Sequence, residues 1–285
     1  MAFPTEAIYN KCVDAINDIY GGGMVEQTRP WLEVNDTGYF SGIWSFIQAG
    51  CDVFMVIGVI LTLIYLIINL SEKSITQGVT MESFMKCFIE FILALVLIMN
   101  SFHIIEFASS LGSGVLDDIG NIAQAAAGSD TGVASSLMAE VDEINTEQSG
   151  IGKFFSLLII YLGQLMIPQL LANIGKALVV VACMSRGISI IIYGVFLPIP
   201  IADVYKDGLN SKGIRYIKKL IALFIQGAII LLVVMASSLL QGSVQQAVNG
   251  VASTILGMFY NIGLIFVTVM VIFKSQNIAN DIVGA

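Results

Sequence analysis

Charge is the scarcest commodity in this 285-residue chain: Asp, Glu, Lys and Arg together make up 12% of it, about half the share in a soluble globular domain. There is a single histidine, His103, and there are five prolines and four cysteines. Cys12, Cys51, Cys87 and Cys183 lie far apart, so no pair has the close spacing of a zinc or redox site and all four read as buried free thiols. One histidine without spaced partners gives no metal centre. No Gly-rich phosphate loop follows a strand pattern, and no Ser/His/Asp set is placed where water would reach it. The expectation is a protein without enzymatic activity, metal or cofactor. A net charge of −8 gives no overall nucleic-acid footprint. The first residues, with no basic start and no apolar stretch before Glu6, do not read as a cleavable signal peptide.

What the chain has instead is apolar length. Hydrophobic residues make up 56% and the mean hydropathy is +0.86, and the uncharged runs are too long for an ordinary core. Val53–Leu70, Leu220–Leu240 and Val251–Phe273 each carry enough apolar residues to cross a hydrocarbon layer. A further span is expected over Phe84–Phe107, less pure because Lys86, Glu90, Asn100, His103 and Glu106 lie within it or at its ends. Phe154–Cys183 is apolar for thirty residues, longer than one crossing needs, so a kinked helix or a span with a projecting end is implied. Arg186 and Gly187 interrupt it, and the short run Ile188–Ala202, ending Pro198-Ile199-Pro200, reads as re-entrant or interfacial. The fold class is therefore all-α: a polytopic transmembrane helical protein of about five spans.

Four regions follow: an extracytoplasmic amphipathic segment over residues 1–40, the first two membrane helices over 41–109, an acidic hydrophilic loop over 110–152, and a transmembrane bundle over 153–285. In the first, Ile8, Val13, Ile16 and Ile19 share a face opposite Glu6, Asn10, Asp14 and Asn17, the pattern of a helix lying on a membrane or a partner. The loop has seven acidic residues between positions 108 and 152 and no basic one, with a short helix expected at Val133–Ile144.

Five of the thirteen basic residues, Lys206, Lys212, Arg215, Lys218 and Lys219, lie within fourteen positions of the connector 203–219. Such clusters stay on the cytoplasmic side. With the acidic loop outside, an odd number of crossings must separate the two. The expected arrangement is a multi-pass protein of the cell membrane with its N-terminus outside and C-terminus cytoplasmic. Splitting 154–174 and 177–197 into two spans would strand those five charges outside.

Charged groups inside a bilayer cost roughly 2.5 to 3.5 kcal/mol each, which makes those in spans candidates for function. Lys86, Glu90 and Asn100 fall within about 80° of one another on a helix. Gln169, Asn173 and Lys176 cover about 60° of another. Either face lines a passage or seals a helix contact, and a snorkelling Lys86 that draws Glu90 with it explains the first pair equally well.

From Arg186 the chain runs through "YGVFLPIPIAD" and "KDGLNSKG" to "IRYIKKLIALFIQGAIILLVV", and it closes on "FKSQNIANDIVGA". This order resembles the signature region of the TrbL-type polytopic inner-membrane subunit of type IV secretion and conjugation systems, in the version found in conjugative elements of Gram-positive bacteria. The resemblance implies a channel or platform subunit that helps single-stranded DNA with its relaxase, or protein effectors, across the cell membrane. It also implies secretion-system ATPases and other membrane subunits as partners, beside membrane lipids, and leaves homo-oligomerisation open. Arg186, Lys206, Lys212, Arg215, Lys218 and Lys219 would then meet a cytoplasmic partner, lipid or DNA. The alternative reading is a small-solute transporter or ion channel, against which stands the lack of inverted repeats between the two halves.

Overall fold

The computed structural model describes residues 5–20, 23–33, 42–76, 80–127, 132–147, 151–247 and 253–285. Every regular element among them is helical: α1 (Thr5–Tyr20), α2 (Gly23–Leu32), α3 (Ile43–Thr76), α4 (Met81–Met99), α5 (Ser101–Ala127), α6 (Gly132–Glu147), α7 (Ile151–Ile160), α8 (Met166–Val195), the one-turn α9 (Pro198–Ile201) and α10 (Val204–Asp207), α11 (Lys212–Ala247) and α12 (Ser253–Val283). The chain is an all-α polytopic membrane protein.

Among the described residues four helices are long and apolar enough to cross a bilayer, within α3, α8, α11 and α12, and α4 with α5 forms a fifth candidate bent by 61°. The bend puts a break at Asn100 within the expected span Phe84–Phe107. Asn100 ends α4, and its side-chain amide donates to the Val96 carbonyl at 2.8 Å, a local bond that competes with continued helix. Beyond it α5 continues to Ala127, so nearly half of the expected acidic loop is a helix, and α6 takes up the helix expected at Val133–Ile144.

A correction concerns Arg186 and Gly187, which do not interrupt anything. α8 runs through them to Val195, and behind it α7 and a π-helical turn, Tyr161–Leu165, keep the backbone helical from Ile151. The non-spanning element is accordingly narrower than Ile188–Ala202: only α9 and α10 after Phe196 leave the long helix.

By backbone contacts the chain divides into two units. The first comprises residues 1–31, 116–183 and 229–275. Its core holds Cys12, Ala15 and Ile16 of α1 with Val141 of α6 and Leu157, Ile160, Leu165 and Ala172 of the α7–α8 stretch. The amphipathic face of α1 therefore has a partner within its own chain. The Tyr9 hydroxyl donates to Asp142 at 2.6 Å, and Arg29 pairs with Asp117 at 3.1 Å. That hydrogen bond is the first cause of a Tyr9 hydroxyl pKa above its usual range.

The second unit comprises residues 32–115, 184–228 and 276–285. Ile47, Cys51, Ile98, Ile105, Ile190, Leu197, Leu220 and Phe224 form its core. At Gly58 of α3 a Cβ would come within 2.6 Å of the Pro198 carbonyl oxygen, so glycine is what lets α9 lie against α3. The outer face of α3 stays bare: Val53, Val56, Ile60 and Ile67 are half or more exposed. Such a surface belongs against lipid or another membrane subunit.

Candidate functional site

The basic connector is built by the turn between α8 and α11. Pro198 sits at the first turn of α9, where its missing N–H costs no helical bond. Gly208, at φ +55°, ends α10. α11 is then capped twice, the Ser211 hydroxyl accepting from the Ile214 N–H at 3.3 Å and Asp203 accepting from the Lys212 N–H at 3.1 Å. Lys212, Arg215 and Lys219 fall within about 60° of one another on the first turns, and all three are exposed. Lys206 is exposed on α10, while Lys218 is half-buried and donates to the Gly284 carbonyl at 3.3 Å.

No carboxylate occurs in the 36 residues of α11. Among the described residues no ion pair involves any of the five connector cations. Cations near a helix N-terminus oppose the helix dipole by a few tenths of a kcal/mol each. Local helix electrostatics therefore does not explain them.

Arg186 does not join that surface. It is 4% exposed, and its guanidinium is spent on backbone: Nε donates to the Leu223 carbonyl at 2.7 Å, Nη1 to Leu32 at 3.0 Å and Nη2 to Phe224 at 3.4 Å. Leu223 lies about 16 Å along α11 from Lys212, so the charge is held at membrane depth. These carbonyl dipoles offset part of its desolvation. Gly227 makes room, since a Cβ there would lie 2.7 Å from the guanidinium carbon. Arg186 thus fastens α8 to α11 and to the end of α2, which corrects its reading as a partner contact.

The expected seam on α4 is partly replaced by another. Lys86 and Asn100 are exposed, and no ion pair joins Lys86 to Glu90 among the described residues. Instead Lys73 of α3 donates to the Cys87 sulfur at 3.0 Å, and Asn69 of α3 donates to the Tyr205 hydroxyl at 3.2 Å. Glu90 is close enough to act electrostatically on both Lys73 and Tyr205. A polar layer thus joins α3, α4 and α10. Tyr205 is 4% exposed, and burial first, then the fields of Cys87 and Glu90, push its hydroxyl pKa up, against the lowering effect of the Asn69 bond. Sequence reasoning missed Lys73, Asn69 and Tyr205 because their partners lie 14 and 136 positions away.

On α8, Gln169 and Lys176 are half-buried and engaged within the protein, whereas Asn173 is exposed among the exposed Leu170 and Ile174. These three belong to the first unit and the α4 residues to the second. His103 and Glu106 pair with each other at 2.8 Å on the exposed side of α5.

A family profile described as TrbL/VirB6 plasmid conjugal transfer like protein matches residues 33–198, or 166 of the 285. The chain belongs to the TrbL/VirB6-like conjugal transfer family. The family match takes in α3 to α8 and the first residue of α9, so this chain is a multi-pass membrane component of a type IV secretion or conjugation system, in which it works beside other membrane subunits. The TrbL-like order of residues between Arg186 and Leu240 overlaps the match only up to Pro198, and the basic connector lies downstream of it. No curated protein and no solved structure matches the chain significantly.

Proposed function

We propose that this chain is a non-enzymatic subunit of the cell-membrane platform of a conjugative type IV secretion machine, and that it helps single-stranded DNA with its attached relaxase, or a protein substrate, to cross that membrane. The observation that carries the reading is the family match over more than half the chain. In this reading the N-terminus lies outside and the base of α11 and the C-terminus face the cytoplasm, in keeping with the preference of Lys and Arg for that side. Lys206, Lys212, Arg215 and Lys219, with Lys218 half-buried behind them, then present positive charge to whatever approaches the platform from the cytoplasm. Three anionic surfaces are available there: lipid headgroups, the acidic face of a secretion ATPase, and DNA phosphates.

The test is a mating assay with all five connector cations replaced by Gln. Transfer frequency should fall at least tenfold while the protein still inserts and accumulates. Undiminished transfer at normal protein levels would remove the connector from the mechanism.

A further inference from the structure

A small cleft of about 110 Å³ opens where the ends of three helices meet in the second unit, lined by Tyr193 of α8, Lys219 and Leu223 of α11, and Gln276 and Asn280 of α12. Its polar lining is dominated by donors: one ammonium, one phenol and two carboxamides, with no carboxylate. Among the described residues none of these four polar side chains has a hydrogen-bond partner in the protein. Unmated donors around one positive charge suit an anion with several acceptor oxygens. At about 30 Å³ per water the space corresponds to three or four waters, or to one phosphoryl group in their place.

The surroundings say which phosphoryl group. Ile188 and Ile192 are exposed one turn apart on α8, beside Tyr193, and Phe196, just past the end of α8, is partly exposed while its ring packs against Phe54. Tyr193 in turn packs against Tyr216, ring centroids 4.8 Å apart. Aromatic hydroxyls, a lysine and a bare aliphatic strip occur together at the boundary between headgroups and acyl chains. A nucleic-acid strand would have no use for the aliphatic strip. Lys218, one residue from Lys219, holds the carbonyl of Gly284 at 3.3 Å, which draws the end of α12 to α11 and keeps Gln276 and Asn280 in place.

We infer that the Tyr193–Lys219–Gln276–Asn280 cleft is a binding site for the phosphate of an anionic phospholipid, with an acyl chain lying along Ile188, Ile192 and Phe196. Such a lipid would clasp the C-terminal residues to the base of α11, separately from any role of the outward-facing Lys212 and Arg215.

Native mass spectrometry of the full-length protein, released from micelles with equal phosphatidylglycerol and phosphatidylcholine, reads the site directly. One phosphatidylglycerol should be retained at least fivefold over phosphatidylcholine. Lys219→Gln, at an exposed position, and Gln276→Glu, which sets a carboxylate in the cleft without changing side-chain size, should each abolish that preference, and Lys212→Gln should not. Equal retention of the two lipids, or equal loss in Lys212→Gln, would overturn the site. Displacement of the lipid by millimolar inorganic phosphate or by a single-stranded oligonucleotide would overturn the lipid as its occupant.

Discussion

Replacing Gly227 by Ala should damage the protein far more than a single methyl group suggests, and removing Arg186 should undo most of the damage. The new Cβ would sit 2.7 Å from Cζ and Nη2 of Arg186 and 2.8 Å from Nη1, where ordinary contact is about 3.5 to 4.0 Å. The guanidinium must retreat by nearly an ångström. Nη2, already 3.4 Å from the Phe224 carbonyl, then loses its bond. Overpacking costs about 1 to 3 kcal/mol, and a lost hydrogen bond to a charged group about 1.5 to 3, so Gly227→Ala should cost about 3 to 5 kcal/mol. Arg186→Met costs about 1 to 3 kcal/mol, because the Leu223 and Phe224 carbonyls keep their bonds inside α11 while the Leu32 carbonyl loses its donor. In the double variant the methyl group has no guanidinium to meet. Its loss should stay near that of Arg186→Met alone, giving a coupling about as large as the Gly227→Ala cost itself, about 3 to 5 kcal/mol. Denaturation of the purified protein by SDS in mixed micelles measures all three variants. Additive losses in the double variant, or a cost below about 1 kcal/mol for Gly227→Ala, would refute the buried-guanidinium account.

Two further outcomes concern the N-terminal helix. The Tyr9 pKa is raised in the folded protein by its bond to Asp142, so its contribution is complete below the unfolded value near 10 and disappears as pH rises through the folded value. Tyr9→Phe should therefore lack the part of the alkaline stability loss that the wild type shows, and identical profiles between pH 9 and 12 would contradict the bond. Cys12 is fully buried, and burial pushes its thiol up to about 11. At pH 7.5 about one thiol in three thousand is then ionised, so maleimide should label Cys12 only after SDS denaturation, and rapid labelling of the folded protein at Cys12 would place α1 away from α6 and α7.

The membrane-helical class was legible because lipid demands long uncharged runs, and Val53–Leu70 and Leu220–Leu240 lie within α3 and α11. Breaks were harder to read. Arg186 looks like an end to an apolar run, since nothing local reveals that Leu32, Leu223 and Phe224 will supply carbonyls from positions 37 to 154 residues away. Asn100 misled in the opposite direction. Spacing alone sets its amide on a polar face, whereas its bond to Val96 marks the end of α4. The connector cations were visible as a cluster, but the i, i+3, i+7 exposure of Lys212, Arg215 and Lys219 depends on α11 starting at Lys212, a boundary set by Ser211 and Asp203. Lys73 and Tyr205 entered the polar layer through tertiary pairing alone.

The central claim is that this chain is part of a conjugative transfer machine, and its gene can be deleted from the element that carries it. Transfer frequency of that element, measured with and without a wild-type copy supplied in trans, is the most direct reading. Transfer should fall below detection in the deletion and return with the wild-type copy. Transfer at the parental frequency in its absence would contradict the account.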